Sequence, residues 1–204
     1  MMKFESPPPF DAAVAETLSA VKRRGGSVLV VGPSEVSHTD ICRRFLDGDA
    51  EEIAVRTERS TSGGNTVDRV IERTIPTRSV SASRSAGGKS PTSVDIESVS
   101  EDLRTEMRDA AGEASSLRVC FDSLRPFVDS GADRRLVDAL EAIRSTARET
   151  DAVVHFHLPA MQAAVPSALF DAVDLVVEVR RQGDATYQRW QLGSEEPTTE
   201  WVAV

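Results

Sequence analysis

The stretch SVLVVGPSEVSHTDICRRFL, residues Ser27 to Leu46, decides the fold prediction. Its apolar run is followed by a turn at Gly32 and by a segment in which Ile41 and Phe45 recur at helical spacing. The order of strand, glycine turn and helix has the form of a phosphate-binding loop, where backbone N–H groups and a helix N-terminus attract an anion.

The loop keeps the spacing of the motif G-x-x-x-x-G-K-[ST] but changes two of its chemical positions. The frame runs from Gly32 to Thr39, with Ser37 in place of the second glycine and His38 in place of the lysine. A lysine would contribute a charge-assisted hydrogen bond of about 1.5–3 kcal/mol, so its loss predicts roughly ten- to hundredfold weaker phosphate binding. The alternative interpretation is that Gly32 only turns a β–α loop.

The rest of the chain alternates short apolar runs with amphipathic segments. Strands are predicted at 28–31, 51–57, 117–123, 152–159 and 174–180, and helices at 11–23, 40–46, 94–111, 133–149 and 166–172. The polar region 58–95 predicts only a short helix through Val67, Val70 and Ile71 and a short strand near Val80. Nearly continuous apolar strands that alternate with helices predict an α/β fold with a mostly parallel sheet covered on both faces.

The domain organisation predicted from these patterns is simple. Residues 1–10 are expected to form a disordered tail, and 11–204 a single domain. The segment 185–192 predicts a C-terminal β-hairpin, and the final WVAV a last edge strand. The Ser- and Gly-rich stretch 81–93 predicts a mobile loop; the GGKS within it follows no apolar strand and is not expected to bind phosphate.

Composition narrows the function classes. The chain has 204 residues, a net charge of −9, and three lysines among its 24 basic residues, which leaves 24 − 3 = 21 arginines. An acidic surface with little lysine is typical of proteins adapted to high salt, and a GC-rich genome is the alternative explanation. The charge argues against nucleic-acid binding.

No apolar run approaches the ~20 residues of a membrane span, and no signal peptide is evident, so we expect a cytoplasmic protein. The two cysteines, Cys42 and Cys120, predict neither a disulfide framework nor a zinc ribbon.

A second segment supports the nucleotide interpretation. LRVCFD, residues 117–122, is an apolar strand that ends in Asp122, which is the form of a Walker B strand whose aspartate holds Mg²⁺ through water. The alternative is that Asp122 caps a helix or a turn.

These segments resemble the RecA/KaiC-like branch of P-loop ATPases. The segments that carry the resemblance are SVLVVGPSEVSHT, RVCFDSLRPFVD, VVHFHLP, LFDAVDLVVEVRR and QRWQL. Among the proteins of this branch, the chain looks most like uncharacterised haloarchaeal RecA-like proteins with a degenerate Walker A motif. The resemblance covers residues 11–203 and implies a three-layer sandwich in which strand 152–159 lies between the loop strand and strand 117–123. The cofactor-binding positions that it implies are Gly32, Pro33, Ser34, Ser37, His38, Thr39, Asp122 and His157.

The same resemblance implies roles for an active ATPase. Thr39 and Asp122 would hold Mg²⁺, and Glu58 would activate water, but Arg59 stands where relatives carry a second glutamate. Efficient hydrolysis is therefore not expected. The first hypothesis is a catalytically degenerate domain without a resident cofactor, which acts on an unidentified protein partner as a regulatory or signalling module and could form a homo-oligomer. The alternative is a weak ATPase that binds ATP and Mg²⁺.

The three histidines of the chain suggest another alternative. His155 and His157 share one face of their strand, and His157 is nearer its end. With the implied strand order, His38, His157 and Asp122 are expected to converge. These side chains would either satisfy each other's hydrogen bonds, bind a residual anion, or ligate a metal such as zinc. The third hypothesis is accordingly a metal- or anion-sensing protein.

Overall fold

The apolar run before Gly32 forms a strand near the middle of a sheet. The computed structural model describes residues 9–33, 38, 41, 50–57, 69–72, 95–112, 116–128, 134–194 and 198–203. The strands in these ranges are β1 (Gly26–Val31), β2 (Glu51–Arg56), β3 (Arg69–Glu72), β4 (Leu117–Phe121), β5 (Val153–Leu158), β6 (Leu175–Gln182), β7 (Ala185–Gln191) and β8 (Val202–Ala203).

The described strands form one eight-stranded sheet in the order β3-β2-β4-β5-β1-β6-β7-β8. The six strands from β3 to β6 in this order are parallel to their neighbours, whereas β7 runs antiparallel to β6 and β8 antiparallel to β7. The predicted α/β class with a mostly parallel sheet is therefore confirmed. Strand β5 lies between β1 and β4, so the carboxyl ends of these three strands meet at one edge of the sheet.

The helices are α1 (Pro9–Arg24), α2 (Ile96–Ala111), α3 (Arg125–Val128), α4 (Arg134–Glu149) and α5 (Ser167–Asp171), and residues 162–164 form a 3-10 turn. His38 and Ile41 are also helical. Helix α1 ends at Arg24 and is followed by Gly25, whose φ of 72° is left-handed, as expected for a glycine that follows a helix. None of the described helices is long and apolar enough to cross a membrane.

Two apolar clusters cover opposite faces of the sheet, because alternate residues of a strand point to opposite sides. On one face, Leu29 and Val31 of β1 pack in a cluster with residues of α2, α4 and α5. On the other face, Val28 and Val30 pack with Val14 and Val21 of α1, Ile41, and residues of β6. Burial of both faces explains why the central strands are continuous apolar runs.

The predicted short helix through Val67, Val70 and Ile71 is wrong, because Arg69–Glu72 form the edge strand β3. Strand β3 pairs parallel with β2, and only Ile71 of its residues is buried against the core. Arg69 of β3 is bound to Glu51 of β2, since its Nε donates a hydrogen bond to Oε1 of Glu51 at 2.6 Å. Two adjacent β-branched residues fit a half-buried strand better than a helix.

The other predicted β-strands and α-helices in the described ranges agree with the structure to within two residues at either end. The segment 185–192, predicted as a hairpin, forms the single strand β7, which pairs antiparallel with β6. Helix α1 begins at Pro9, inside the segment that was expected to be a tail. The predicted strand near Val80, the loop 81–93 and most of helix 40–46 lie outside the described residues.

Candidate functional site

The turn after β1 places Gly32 against strand β6. A Cβ atom at this position would lie 2.5 Å from the carbonyl oxygen of Val179 and 2.6 Å from its Cγ2. Close packing between neighbouring strands thus requires glycine here, independently of any phosphate. Pro33 follows and is half-buried, while Ser34, Ser37 and Thr39 lie outside the described residues.

His38, at the position of the P-loop lysine, contacts His157 at the carboxyl end of β5. Their Nδ1 atoms are 3.0 Å apart, and the rings meet edge to face with centroids separated by 5.2 Å. One imidazole must donate and the other accept, so the pair shares one proton in this contact. His38 is half-buried and His157 is 2% exposed, and the side chain at the lysine position is therefore directed to the neighbouring strand.

Asp122 follows β4 and joins its end to the end of β2. Its Oδ1 accepts a hydrogen bond from the N–H of Thr57 at 2.8 Å and lies 2.7 Å from the Thr57 hydroxyl. That hydroxyl is also 2.7 Å from the carbonyl oxygen of Ser123, and Thr57 is fully buried. This arrangement fits a structural link between two strand ends. Glu58, the next residue along the chain, lies outside the described residues.

A second contact joins β4 to β5. The N–H of Leu124 donates to the carbonyl oxygen of His157 at 2.8 Å, so the segment after β4 packs on the end of β5. Asp122 and His157 therefore sit at the same edge of the sheet, as the strand order predicted.

Cys120 is the residue of this region that sequence reasoning missed. It is paired in register with His155, and one ligand atom from each of Cys120, His155 and His157 lies within 4.8 Å of the other two. A signal was present in the sequence, because Cys120 lies in the strand just before Asp122, at the edge of the sheet where the site was expected. What was missing was the register between β4 and β5.

The group predicted to converge was His38, His157 and Asp122. The structure brings His38 into contact with His157, and it places Oδ1 of Asp122 against Thr57. In the described part of the chain, the metal-capable group around His157 contains Cys120 and His155, and Asp122 is not a member of it.

These features define an α/β protein with a mostly parallel sheet and a histidine-rich site at the carboxyl ends of its central strands, where ligands of such sheets bind. The family described as "Family of unknown function (DUF7504)" matches residues 25–179, and the chain belongs to that family. The matched range begins at the turn before β1 and ends within β6, so it includes the residues of the site described above. No curated protein matches the chain at a significant level.

Proposed function

We propose that this chain is a RecA/KaiC-like domain with a degenerate P-loop, which acts as a regulatory or protein-interaction module in signalling and has weak or no nucleotide binding. The observation that carries the proposal is the 3.0 Å contact between Nδ1 of His38 and Nδ1 of His157. In a working P-loop the lysine at this position reaches the β and γ phosphates. Here the corresponding side chain is used in a contact within the protein.

The strand order supports the RecA-like part of the proposal. Strand β5 lies between β1 and β4, which is the order that the resemblance implies, and the antiparallel strands β7 and β8 extend the sheet beyond β6. In this interpretation the fold is a three-layer sandwich with a C-terminal hairpin. The fold alone does not define the function, because related sheets carry many activities.

Two further contacts favour loss of nucleotide chemistry. The close approach of Gly32 to Val179 accounts for the glycine without a phosphate. The hydrogen bonds from Thr57 to Asp122 account for the aspartate without Mg²⁺. Gly32 and Asp122, which keep letters of the P-loop and Walker B motifs, thus both have a structural role. His38, which replaces the charged lysine, faces a strand end.

The test is calorimetric titration with MgATP in molar KCl, because an acidic protein is stabilised when its carboxylates are screened. The native chain is compared with His38→Lys and with Ser145→Lys, which adds the same charge on the exposed side of α4. We expect no binding by the native chain or by Ser145→Lys, and micromolar binding by His38→Lys. The expected gain is at least about ten- to hundredfold, the equivalent of one charge-assisted hydrogen bond.

Other outcomes contradict the proposal in different ways. Micromolar binding by the native chain would show that the backbone N–H groups of the loop still bind phosphate. This result would favour a weak ATPase with Thr39, Asp122 and Glu58 in their usual roles. The release of phosphate would then be measured. If a folded His38→Lys variant also fails to bind, the loop does not have P-loop geometry and the RecA-like assignment of its residues is wrong.

A further inference from the structure

The sheet face that α1 covers carries three residues able to ligate a metal. Cys120 of β4 and His155 of β5 are register partners, and His157 lies two residues beyond His155 on the same face. The rings of His155 and His157 meet edge to face with centroids 5.3 Å apart. One ligand atom from each of the three residues lies within 4.8 Å of the other two.

The side of the group that faces β1 is apolar. His155 is paired in register with Val28, and His157 with Val30, and both valines are fully buried. His155 is itself 0% exposed and His157 2% exposed. Burial of two imidazoles in an apolar layer is costly unless their nitrogens are bonded, whereas valine at both positions would only extend the core. Cys120 is partly exposed, which leaves a route from solvent to the group.

We propose that Cys120, His155 and His157 form a zinc site. A thiolate and two imidazoles are ligands that zinc prefers, and three protein ligands leave the fourth tetrahedral position for water or another side chain. With Zn–S and Zn–N bonds of about 2.3 and 2.0–2.1 Å, tetrahedral ligand atoms are about 3.3–3.6 Å apart. The three atoms are within 4.8 Å of one another, so adjustments of about one ångström, which side-chain torsions can provide, close the site.

His38 supports the site from outside. Zinc bound at Nε2 of His157 leaves the proton of that ring on Nδ1, which then donates to Nδ1 of His38 across the observed 3.0 Å. A hydrogen bond to the second nitrogen of a metal-bound imidazole fixes the tautomer and orients the ring. The contact between His38 and His157 therefore has the geometry of a supporting interaction for a metal ligand.

The zinc test can fail or succeed separately from the nucleotide test, although His38 takes part in both proposals. The zinc ligands lie on β4 and β5, and none of them is in the loop after β1. Failure of the nucleotide test would leave the zinc site unaffected, and absence of zinc would not change the expected nucleotide result. The ligand set also differs from a His38, His157 and Asp122 cluster because it contains sulfur, which gives it a separate spectroscopic signature.

The experiment uses the full chain, stripped of metal with a chelator, kept reduced, and held in molar KCl. Titration with Zn²⁺ is followed by calorimetry and by thermal unfolding, and titration with Co²⁺ by absorption. We expect one zinc per chain, a raised melting temperature, and release of the thiol proton on binding. Co²⁺ should give a sulfur-to-cobalt charge-transfer band together with the d–d bands of a tetrahedral ion.

Variants identify the ligands. Cys120→Ser should abolish the charge-transfer band and weaken zinc binding by more than the roughly 10–100-fold expected for His38→Gln, which removes only the supporting hydrogen bond. His155→Gln should weaken binding as strongly as Cys120→Ser. The matched control is Cys42→Ser, which replaces the other cysteine of the chain and should leave both the band and the affinity unchanged. Circular dichroism without metal establishes that each variant is folded.

Three results from the native chain and the cysteine variants would overturn the proposal. They are the absence of binding by the folded full chain at excess Zn²⁺, a charge-transfer band that persists in Cys120→Ser, and loss of that band in Cys42→Ser. Equal zinc affinity of His155→Gln and the native chain would likewise exclude this set of ligands.

Discussion

Replacing Gly32 with alanine tests whether this glycine is kept for packing or for phosphate. The added Cβ would meet the carbonyl oxygen of Val179 at 2.5 Å and its Cγ2 at 2.6 Å, both closer than van der Waals contact. The side-chain methyl could rotate away, but the carbonyl belongs to the backbone of β6. Either β1 or β6 would have to move, although the two strands are held in parallel register from Val28 to Val31.

The cost of this substitution follows from overpacking. Inserting a methyl group into a well-packed region typically costs about 1–3 kcal/mol, and the backbone contact places Gly32→Ala in the upper part of this range, at about 2–3 kcal/mol. For a chain of this size that corresponds to a fall in melting temperature of roughly 4–12 °C. A second change, Val179→Ala, removes the contact with Cγ2 but not the contact with the carbonyl oxygen. Because it also deletes fully buried methyl groups, it should not restore the stability of the native chain.

The measurement is denaturant unfolding of the native chain, Gly32→Ala and Gly112→Ala in molar KCl. Gly112 is the matched control because its φ of −75° and ψ of −17° suit alanine, and an added Cβ would come no closer than 3.7 Å to Asp109. It should be neutral or more stable by about 0.4–1 kcal/mol. If Gly32→Ala is as stable as Gly112→Ala, the packing explanation is refuted, and a role in ligand binding becomes the better account of the glycine.

Two other contacts give predictions of the same kind. Asp174→Ala removes the Oδ2 that accepts a hydrogen bond from the buried N–H of Ser27 at 2.8 Å, and it should lower the free energy of unfolding, measured with denaturant, by about 1–3 kcal/mol. Asp174→Asn keeps an acceptor and should lower it by less. Equal losses of stability in the two variants would contradict this reasoning. Trp201 lies against Arg180 and Arg189, whose Cζ atoms are 3.8 and 4.7 Å from its ring centroid. Trp201→Ala should cost about 0.5–2 kcal/mol and speed hydrogen exchange in the C-terminal peptide, while Trp201→Phe should retain part of the protection; identical exchange in both variants would show that the cations contribute nothing.

The central strands could be predicted from the sequence because burial on both faces makes them distinct. Strands β1 and β5 are buried along almost their whole length, and β6 begins with the buried apolar run LVV. Burial on both faces of this kind is typical of the central strands of a parallel sheet. Strand β7 pairs antiparallel with β6 after a turn at Gly183, which adopts a φ of 61°.

The edge strand β3 could not be predicted because its pattern is too short and is decided by its neighbour. Only four residues are involved, and Val70 and Ile71 satisfy a helical spacing with Val67 as well as a strand. The strand forms because β2 offers an open edge and Glu51 offers a partner to Arg69. Tertiary pairing of this kind overrides local propensity.

The candidate site was predictable in part. Strand order and the period of two were enough to bring His157 to the residue at the lysine position. The membership of Cys120 depends on which residue of β4 stands beside His155, and a shift of one residue would have placed its sulfur on the opposite face of the sheet. That register is set by the packing of both faces of the sheet and is not encoded in any short segment.

The contact between His38 and His157 links the two proposals through one proton. A hydrogen bond between two Nδ1 atoms has two directions, and each direction assigns a different tautomer to His157. If zinc occupies Nε2 of His157, the proton must be on its Nδ1, so His38 becomes the acceptor and the loop residue is held against β5. A ligand that needs His38 to turn away from His157 must then bind less well when zinc is present, and by reciprocity it must weaken zinc to the same degree. The histidine at the lysine position would in this way make the state of the loop depend on metal occupancy, which a lysine could not do because it has no acceptor for the proton.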